Sequence, residues 1–166
     1  CATSSHFCSA EKQFRFPLEL GNQRPPTSQW TVTGSGATIL SKDGTGPFIT
    51  NITLGKIVDM GIKDANNMGA AMVPAFADTL LTHFADTGRN PSYYDAIISG
   101  DLGKIGKEIA IDIAMSKGYN IKSNYNDCGL MIFDTKSQDT HAGGSGCACC
   151  GSVFSGFLFK QLKEKK

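Results

Sequence analysis

The sequence holds no apolar run approaching the length that a helix needs to cross a bilayer, and nothing at its start resembles a signal peptide. It also lacks an excess of either charge. Sixteen Lys and Arg stand against fifteen Asp and Glu, and a formal net charge of +1 gives no electrostatic case for nucleic acid. No internal repeat or low-complexity tract is visible. Cysteine is sparse and uneven: Cys1, Cys8, Cys128, Cys147, Cys149 and Cys150. Six thiols so clustered make a poor disulfide framework for a secreted chain of this length, so free thiols in a reducing, intracellular compartment are expected.

What is present fits an ordinary globular domain. Apolar residues make up 40% and charged residues 19% of 166 positions, enough for a sizeable core. The basic cluster Lys160, Lys163, Lys165 and Lys166 reads as a solvated helix end, where lysines complement the negative end of the helix dipole. The chain opens on CATSSH without methionine and stops in KEKK directly after an apolar helical pattern, which suggests a fragment of something longer.

Residues 21–29, GNQRPPTSQ, read as a loop, since two prolines remove backbone donors. WTVTGSGATIL (30–40) is a β-rich run broken by glycines, and FITNITLGKIVDMG (48–61) alternates like a strand. A helix is expected to begin at Pro74, with Phe76, Leu80, Leu81 and Phe84 as its stripe and Gly88 as its stop. YYDAIISGD (93–101) reads as a short buried strand with Asp101 past its end. A second helix carries Ile105, Ile109 and Ile113 on one face and stops at Gly118. CGLMIFD (128–134) reads as a further buried strand, and Gly146 opens a last helix with Val153, Phe154, Phe157, Leu158 and Leu162 on its face. Alternating strands and helices predict an α/β layered fold, with function at strand C-termini and helix N-termini, where Asp101 and the HAGGSG loop fall.

HAGGSGCACCG (141–151) is the most unusual stretch. A structural zinc site asks for two ligand pairs, and Cys128 is the sole extra candidate nearby, so no metal is expected. Adjacent Cys149 and Cys150 would make a strained disulfide. A P-loop needs Lys-Ser/Thr after its last glycine, whereas Cys-Ala follows here. Two compatible readings remain. Small residues let the helix pack tightly, with cysteine as a small hydrophobe; and the glycine turn Gly143, Gly144, Ser145, Gly146 aims free N–H groups at an anion. A cysteine nucleophile lacks a nearby base. His141 and His6 are each either carbonyl-capping structural histidines or ligand contacts, and Arg15 in QFRFP either stacks on its aromatic neighbours or pairs with a carboxylate.

Taken in order, ATSSH, QFRFP, VTGSGA, MGAAM-P-FADT, ISGDL, NDCGLMIF and AGGSGCAC make this chain resemble the stage V sporulation protein AD family, thiolase-fold proteins of spore-forming bacteria. The resemblance covers essentially the whole chain. It implies a thiolase-like layered αβαβα fold that is incomplete here: residues 1–46 the end of the N-terminal half, residues 47–166 most of the C-terminal half. Condensing enzymes of that fold place a His after a strand and an Asn before the last helix of the second half. This chain has ISGDLGK with Asp101 at the first place and Gly144–Ser145 at the second. A carboxylate would repel a developing oxyanion, so the resemblance implies an inherited scaffold without catalytic residues. It further implies a non-catalytic protein that binds dipicolinic acid and assists its uptake into the developing spore, without cofactor or metal. The location expected is intracellular, peripheral to the spore inner membrane. The partners expected are membrane proteins of the same sporulation system, and a second copy in a full-length homodimer. A small aromatic dianion needs cationic or N–H donors and an apolar slot, and the candidates are His6, Arg15, Asp101, His141, Gly143, Gly144, Ser145 and Gly146. The alternatives are an acyltransferase or ketoacyl-synthase-like enzyme acting on acyl thioesters, with its nucleophile in the N-terminal half, and a scaffold that only docks on membrane partners.

Overall fold

The computed structural model describes residues 1–7 and 24–164. Within them the chain is mixed α/β. Strand β1 (Ala2–Ser5) pairs antiparallel with β3 (Gly34–Ala37), running from Ala2 opposite Ala37 to Ser5 opposite Gly34. Strand β2 (Trp30–Thr31) is parallel to β6 (Gly144–Ser145), and β4 (Ile97–Ser99) is parallel to β5 (Tyr125–Asp127). The helices are α1 (Met68–Thr87), α2 (Gly103–Ser116), the single turn α3 (Cys128–Met131), α4 (Cys147–Val153) and α5 (Phe159–Glu164). A π-helical stretch, Phe154–Leu158, joins the last two. None of the described helices is long and apolar enough to cross a membrane.

Helix α1 begins six residues before the expected start. Asn67 accepts a hydrogen bond from Ala70 N at 3.2 Å and so caps the first turn. Pro74 lies inside the helix, where its ring removes the donor for the Ala70 carbonyl alone and the helix continues. Gly88 ends it as expected, in the left-handed conformation at φ 65°. Helices α1 and α2 cross through glycine: a Cβ on Gly69 would stand 2.3 Å from the Leu102 carbonyl oxygen. The buried face of α2 is accordingly its small-residue face, Gly103, Gly106, Ala110 and Ala114. Ile105, Ile109 and Ile113, expected to be that face, are half-buried at its flanks. Around this contact Val73, Phe84, Ile97, Leu102, Ile121 and Tyr125 close the larger core.

A smaller core joins Val32, Cys128, Ala148, Cys149 and Val153. Two strand expectations change beside it. The 128–134 strand lies earlier, at Tyr125–Asp127, because the Asp127 carboxylate accepts from Gly129 N and turns the chain into α3 at Cys128. The 30–40 run splits into β2 and β3 on two different partners. Residues 48–61 form no strand. Their alternating pattern meets no partner strand among the described residues, and Ile52, Leu54 and Ile57 are 79%, 88% and 97% exposed.

Candidate functional site

Two parallel strand ends and two helix starts meet at Asp127, whose side chain is fully buried. Its Oδ1 accepts from Gly103 N and Gly129 N, both at 2.9 Å, and its Oδ2 accepts from Leu102 N at 2.9 Å and Ser99 Oγ at 2.6 Å. One carboxylate thus satisfies the opening amides of α2 and α3 together, which a buried anion requires. Ser99 Oγ also lies 2.8 Å from the Tyr125 hydroxyl, and burial pushes the Tyr125 phenol upward.

Asp101, just past β4, carries out the same task for the glycine turn. Its Oδ2 accepts from Gly146 N at 2.9 Å, directly before α4. The next free amide of that helix, Ala148 N, donates to Ser5 Oγ at 3.0 Å, and Ser5 Oγ in turn donates to the Val32 carbonyl at 2.7 Å. Of the N–H groups expected to be free at this turn, Gly146 N is thus engaged within the chain, as is Gly143 N, which donates to the Thr140 carbonyl at 2.9 Å. Burial raises the Asp101 carboxyl above its ordinary range; the Gly146 bond opposes the rise, and the Asp127 charge adds to it. Gln29 Nε2 clamps the assembly by donating to the Asp101 carbonyl at 2.8 Å and the Gly144 carbonyl at 2.9 Å.

The remaining site candidates divide. His6 is exposed and follows Ser5 at the end of β1, on the edge that carries the Ser5–Ala148 bond. Gly146, at φ 97°, sits so close that a Cβ there would be 3.1 Å from Ser5 Oγ. His6, Asp101, Ser145 and Gly146 thus belong to one neighbourhood of β1, β4, β6 and α4. Gly143 and Gly144 are buried behind it; the Gly143 carbonyl accepts from Trp30 N at 2.9 Å. His141 is held elsewhere, by the Pro25 carbonyl at 2.8 Å from Nδ1 and by Asp139 Oδ1 at 2.9 Å from Nε2. Arg15 lies outside the described residues, as does Cys8. The arginine seen to stack is Arg24, 4.5 Å over the Trp30 ring and bonded to Asp139 Oδ2 at 2.9 Å.

A cleft of about 510 Å³ opens on the far side of α4. Its wall is mostly apolar and includes Ile39, Phe48, Phe154 and Phe159, the last two with ring centroids 6.1 Å apart. Three thiols reach it: Cys1, Cys147 and Cys150. Behind the wall, the neighbouring Cys150 side chain and burial raise the thiol of buried Cys128, and the Cys128 side chain lowers that of Cys150. Burial pushes the Cys149 thiol up to about 12. Among the described residues, no group of three or more His, Cys, Asp or Glu is arranged to hold a metal ion.

Sequence reasoning missed Asp127, Ser5 and Gln29. A usable signal existed for the first: Asp just ahead of the apolar run from Leu130 to Phe133 is a favoured helix N-cap. No local pattern marks Ser5 or Gln29, since their partners are 143, 115 and 72 residues away.

A sequence model of the family described as stage V sporulation protein AD matches residues 1–166. The chain is also 48% identical over 165 residues to the stage V sporulation protein AD of Bacillus subtilis (strain 168), an alignment spanning 99% of this chain and 48% of that protein. The chain therefore spans about half the length of the curated relative it matches. A family match over every residue of the sequence means that this chain belongs to the stage V sporulation protein AD family.

Proposed function

We propose that this chain is part of a non-catalytic sporulation protein that binds dipicolinic acid and assists its uptake into the developing spore. In this reading residues 1–46 close one thiolase-like half and residues 47–166 form most of the other, and the ligand sits in the cleft between the two halves. The protein acts at the periphery of the spore inner membrane, with membrane proteins of the sporulation system as partners and a second copy completing a homodimer.

The observation that supports the binding role most directly is the Gly146 amide, which already holds a carboxylate, that of Asp101, at 2.9 Å. A ligand carboxylate could take this donor by displacing that of Asp101, a group of the same chemistry. His6 stands on the same edge, and Asp101 occupies the place of an electrophilic donor with an acceptor, which argues against condensing chemistry there.

Calorimetry of the full-length protein with dipicolinate tests the reading. Arg15→Ala should cost roughly 2–5 kcal/mol if the guanidinium forms a desolvated charge pair with the ligand, and the change at exposed His6, His6→Ala, should cost far less. Binding through an imidazolium should be tighter near about pH 6 than about pH 8. Asp101→Asn should strengthen binding, because it removes a like charge from the anion site while keeping a carbonyl acceptor. Unchanged affinity in all three variants, with no pH dependence, would move the site elsewhere on this chain or into the N-terminal half. A stable acyl adduct after incubation with acyl-CoA would instead favour chemistry on acyl thioesters.

A further inference from the structure

His141 is a sequence candidate that the anion-binding reading leaves without a role, and its ring is held in a particular way. Its Nδ1 stands 2.8 Å from the Pro25 carbonyl oxygen, and its Nε2 stands 2.9 Å from Asp139 Oδ1. A carbonyl oxygen and a carboxylate only accept hydrogen bonds, so both ring nitrogens donate where both contacts hold. Neutral imidazole carries one N–H and imidazolium carries two, so the pair of contacts defines a protonated ring. The charged groups around it are few. Asp139 pairs with Arg24, whose Nη1 donates to Asp139 Oδ2 at 2.9 Å. On the first turn of α2, Lys104 is exposed, and its amide donates to the Ala142 carbonyl at 2.8 Å.

We propose that His141 is a proton-sensitive latch on the glycine turn: the imidazolium clasps residues 24–28 to residues 139–141, and loss of one ring proton releases Pro25 and loosens the arm that carries Gln29. Once Nδ1 is bare, its lone pair faces the lone pairs of the Pro25 oxygen and the contact becomes repulsive. Ser28 Oγ, 3.3 Å from Nδ1, is the hydroxyl that can turn and donate to the bare nitrogen. The ring therefore has a partner in either protonation state, and an element with two positions is what a switch biases. The backbone of His141 lies at φ 48°, a left-handed conformation that a non-glycine residue keeps where its surroundings fix it.

The latch connects to the site through its neighbours. Ala142, next to His141, donates its amide to the Ser28 carbonyl at 2.9 Å. Gln29, next to Ser28, donates to the Asp101 carbonyl at 2.8 Å and the Gly144 carbonyl at 2.9 Å. A shift of Ser28 toward the bare ring is thus passed to the turn that Asp101 occupies. The latch is closed while the ring holds both protons and opens as pH rises through the range in which imidazole gives one up. It is a property of these residues whether or not the turn takes dipicolinate.

Heteronuclear NMR of the full-length, 15N-labelled protein tests the latch, the His141 ring signal being the one absent from His141→Gln. Between about pH 5.5 and about pH 8 that ring should pass from two protonated nitrogens to one. The Gln29 side-chain amide and the Ala142 amide should shift along the same curve, and in His141→Gln both should lose that dependence. Asp139→Ala, a change at a side chain 74% exposed, removes the acceptor of Nε2. It should move the ring titration to lower pH, with the Gln29 response following it. A ring with one protonated nitrogen already at about pH 5.5, or a ring that titrates while Gln29 and Ala142 stay still, overturns the proposal. Should His141→Gln fail to fold, Asp139→Ala identifies the His141 signal by its shift, and the Gln29 response decides the matter.

Discussion

Replacing Asp127 by alanine would remove the acceptor for four donors at once: the amides of Leu102, Gly103 and Gly129 and the hydroxyl of Ser99. The side chain is fully buried, so these donors do not regain water simply because the carboxylate is gone. A buried unsatisfied donor costs about 1–3 kcal/mol, and three amides set a ceiling of roughly 9 kcal/mol before the site relaxes or admits water. A loss of about 4–6 kcal/mol is expected for Asp127→Ala, a large fraction of a stability of about 5–15 kcal/mol. Asp127→Asn keeps the volume and one carbonyl oxygen but turns an NH2 toward N–H donors, and should cost about 2–4 kcal/mol. Ser99→Ala, which removes one donor and leaves the three amide bonds intact, should cost about 1 kcal/mol. Urea unfolding followed by fluorescence suits the measurement because Trp30 is the sole tryptophan and lies against Phe7 at 4.1 Å between ring centroids. A midpoint shift at unchanged slope reports the stability change. If Asp127→Asn loses less than about 1 kcal/mol, the carboxylate is not the shared anchor of the two helix starts.

Asp101 should give stability a pH dependence of a definite sign. Its folded-state pKa is raised above 3.8, so the folded chain binds the proton more tightly than the unfolded one, and stability should fall as pH rises from 3.8 through the raised value. Thermal melts of Asp101→Asn should lack that component of the decline. Gly36→Ala would place a Cβ 2.2 Å from the Gly151 carbonyl oxygen, forcing β3 and α4 apart. It should cost at least about 1–3 kcal/mol. Gly44→Ala, with no atom within 4 Å, serves as its control in the same unfolding assay. The exposed apolar positions Leu54 and Ile57 predict self-association of the purified 166-residue chain. Leu54→Lys with Ile57→Lys should reduce it in sedimentation without lowering the unfolding midpoint.

Where the fold was legible, a residue's local chemistry and its long-range role coincided. Gly88 stops α1 because a left-handed residue is needed there, and glycine after an apolar stripe announces it. Ile97 and its neighbours read as a buried strand and are one. Pro74 misled because first-turn preference competes with a better cap at Asn67, and tertiary packing tolerates the lost bond. Residues 48–61 misled because alternation marks a strand's faces without supplying its partner. In the candidate site, Asp101 and Gly146 were each visible as chemistry, but their bond spans 45 residues, and no spacing rule reveals that one occupies the other. The occupied turn is the more informative finding, since it shows which class of group the turn accepts.

The π-helical stretch between α4 and α5 has a consequence for what lines the cleft. Residues five apart in an α-helix point about 140° away from one another. Across Phe154–Leu158 the Phe159 amide donates to the Phe154 carbonyl, a wider turn that returns the chain to the same side after five residues instead of four. That is how Phe154 and Phe159 come to share one wall, with Leu162 following a turn later. The aromatic lining is thus encoded in chain length rather than in side-chain identity. Deleting a single residue between 154 and 159 would turn the wide turn into an ordinary α-helical one and keep Phe159 about 40° from Phe154 on the cleft side. Inserting one there would instead swing Phe159 and Leu162 away by about 100° while leaving every other side chain unchanged.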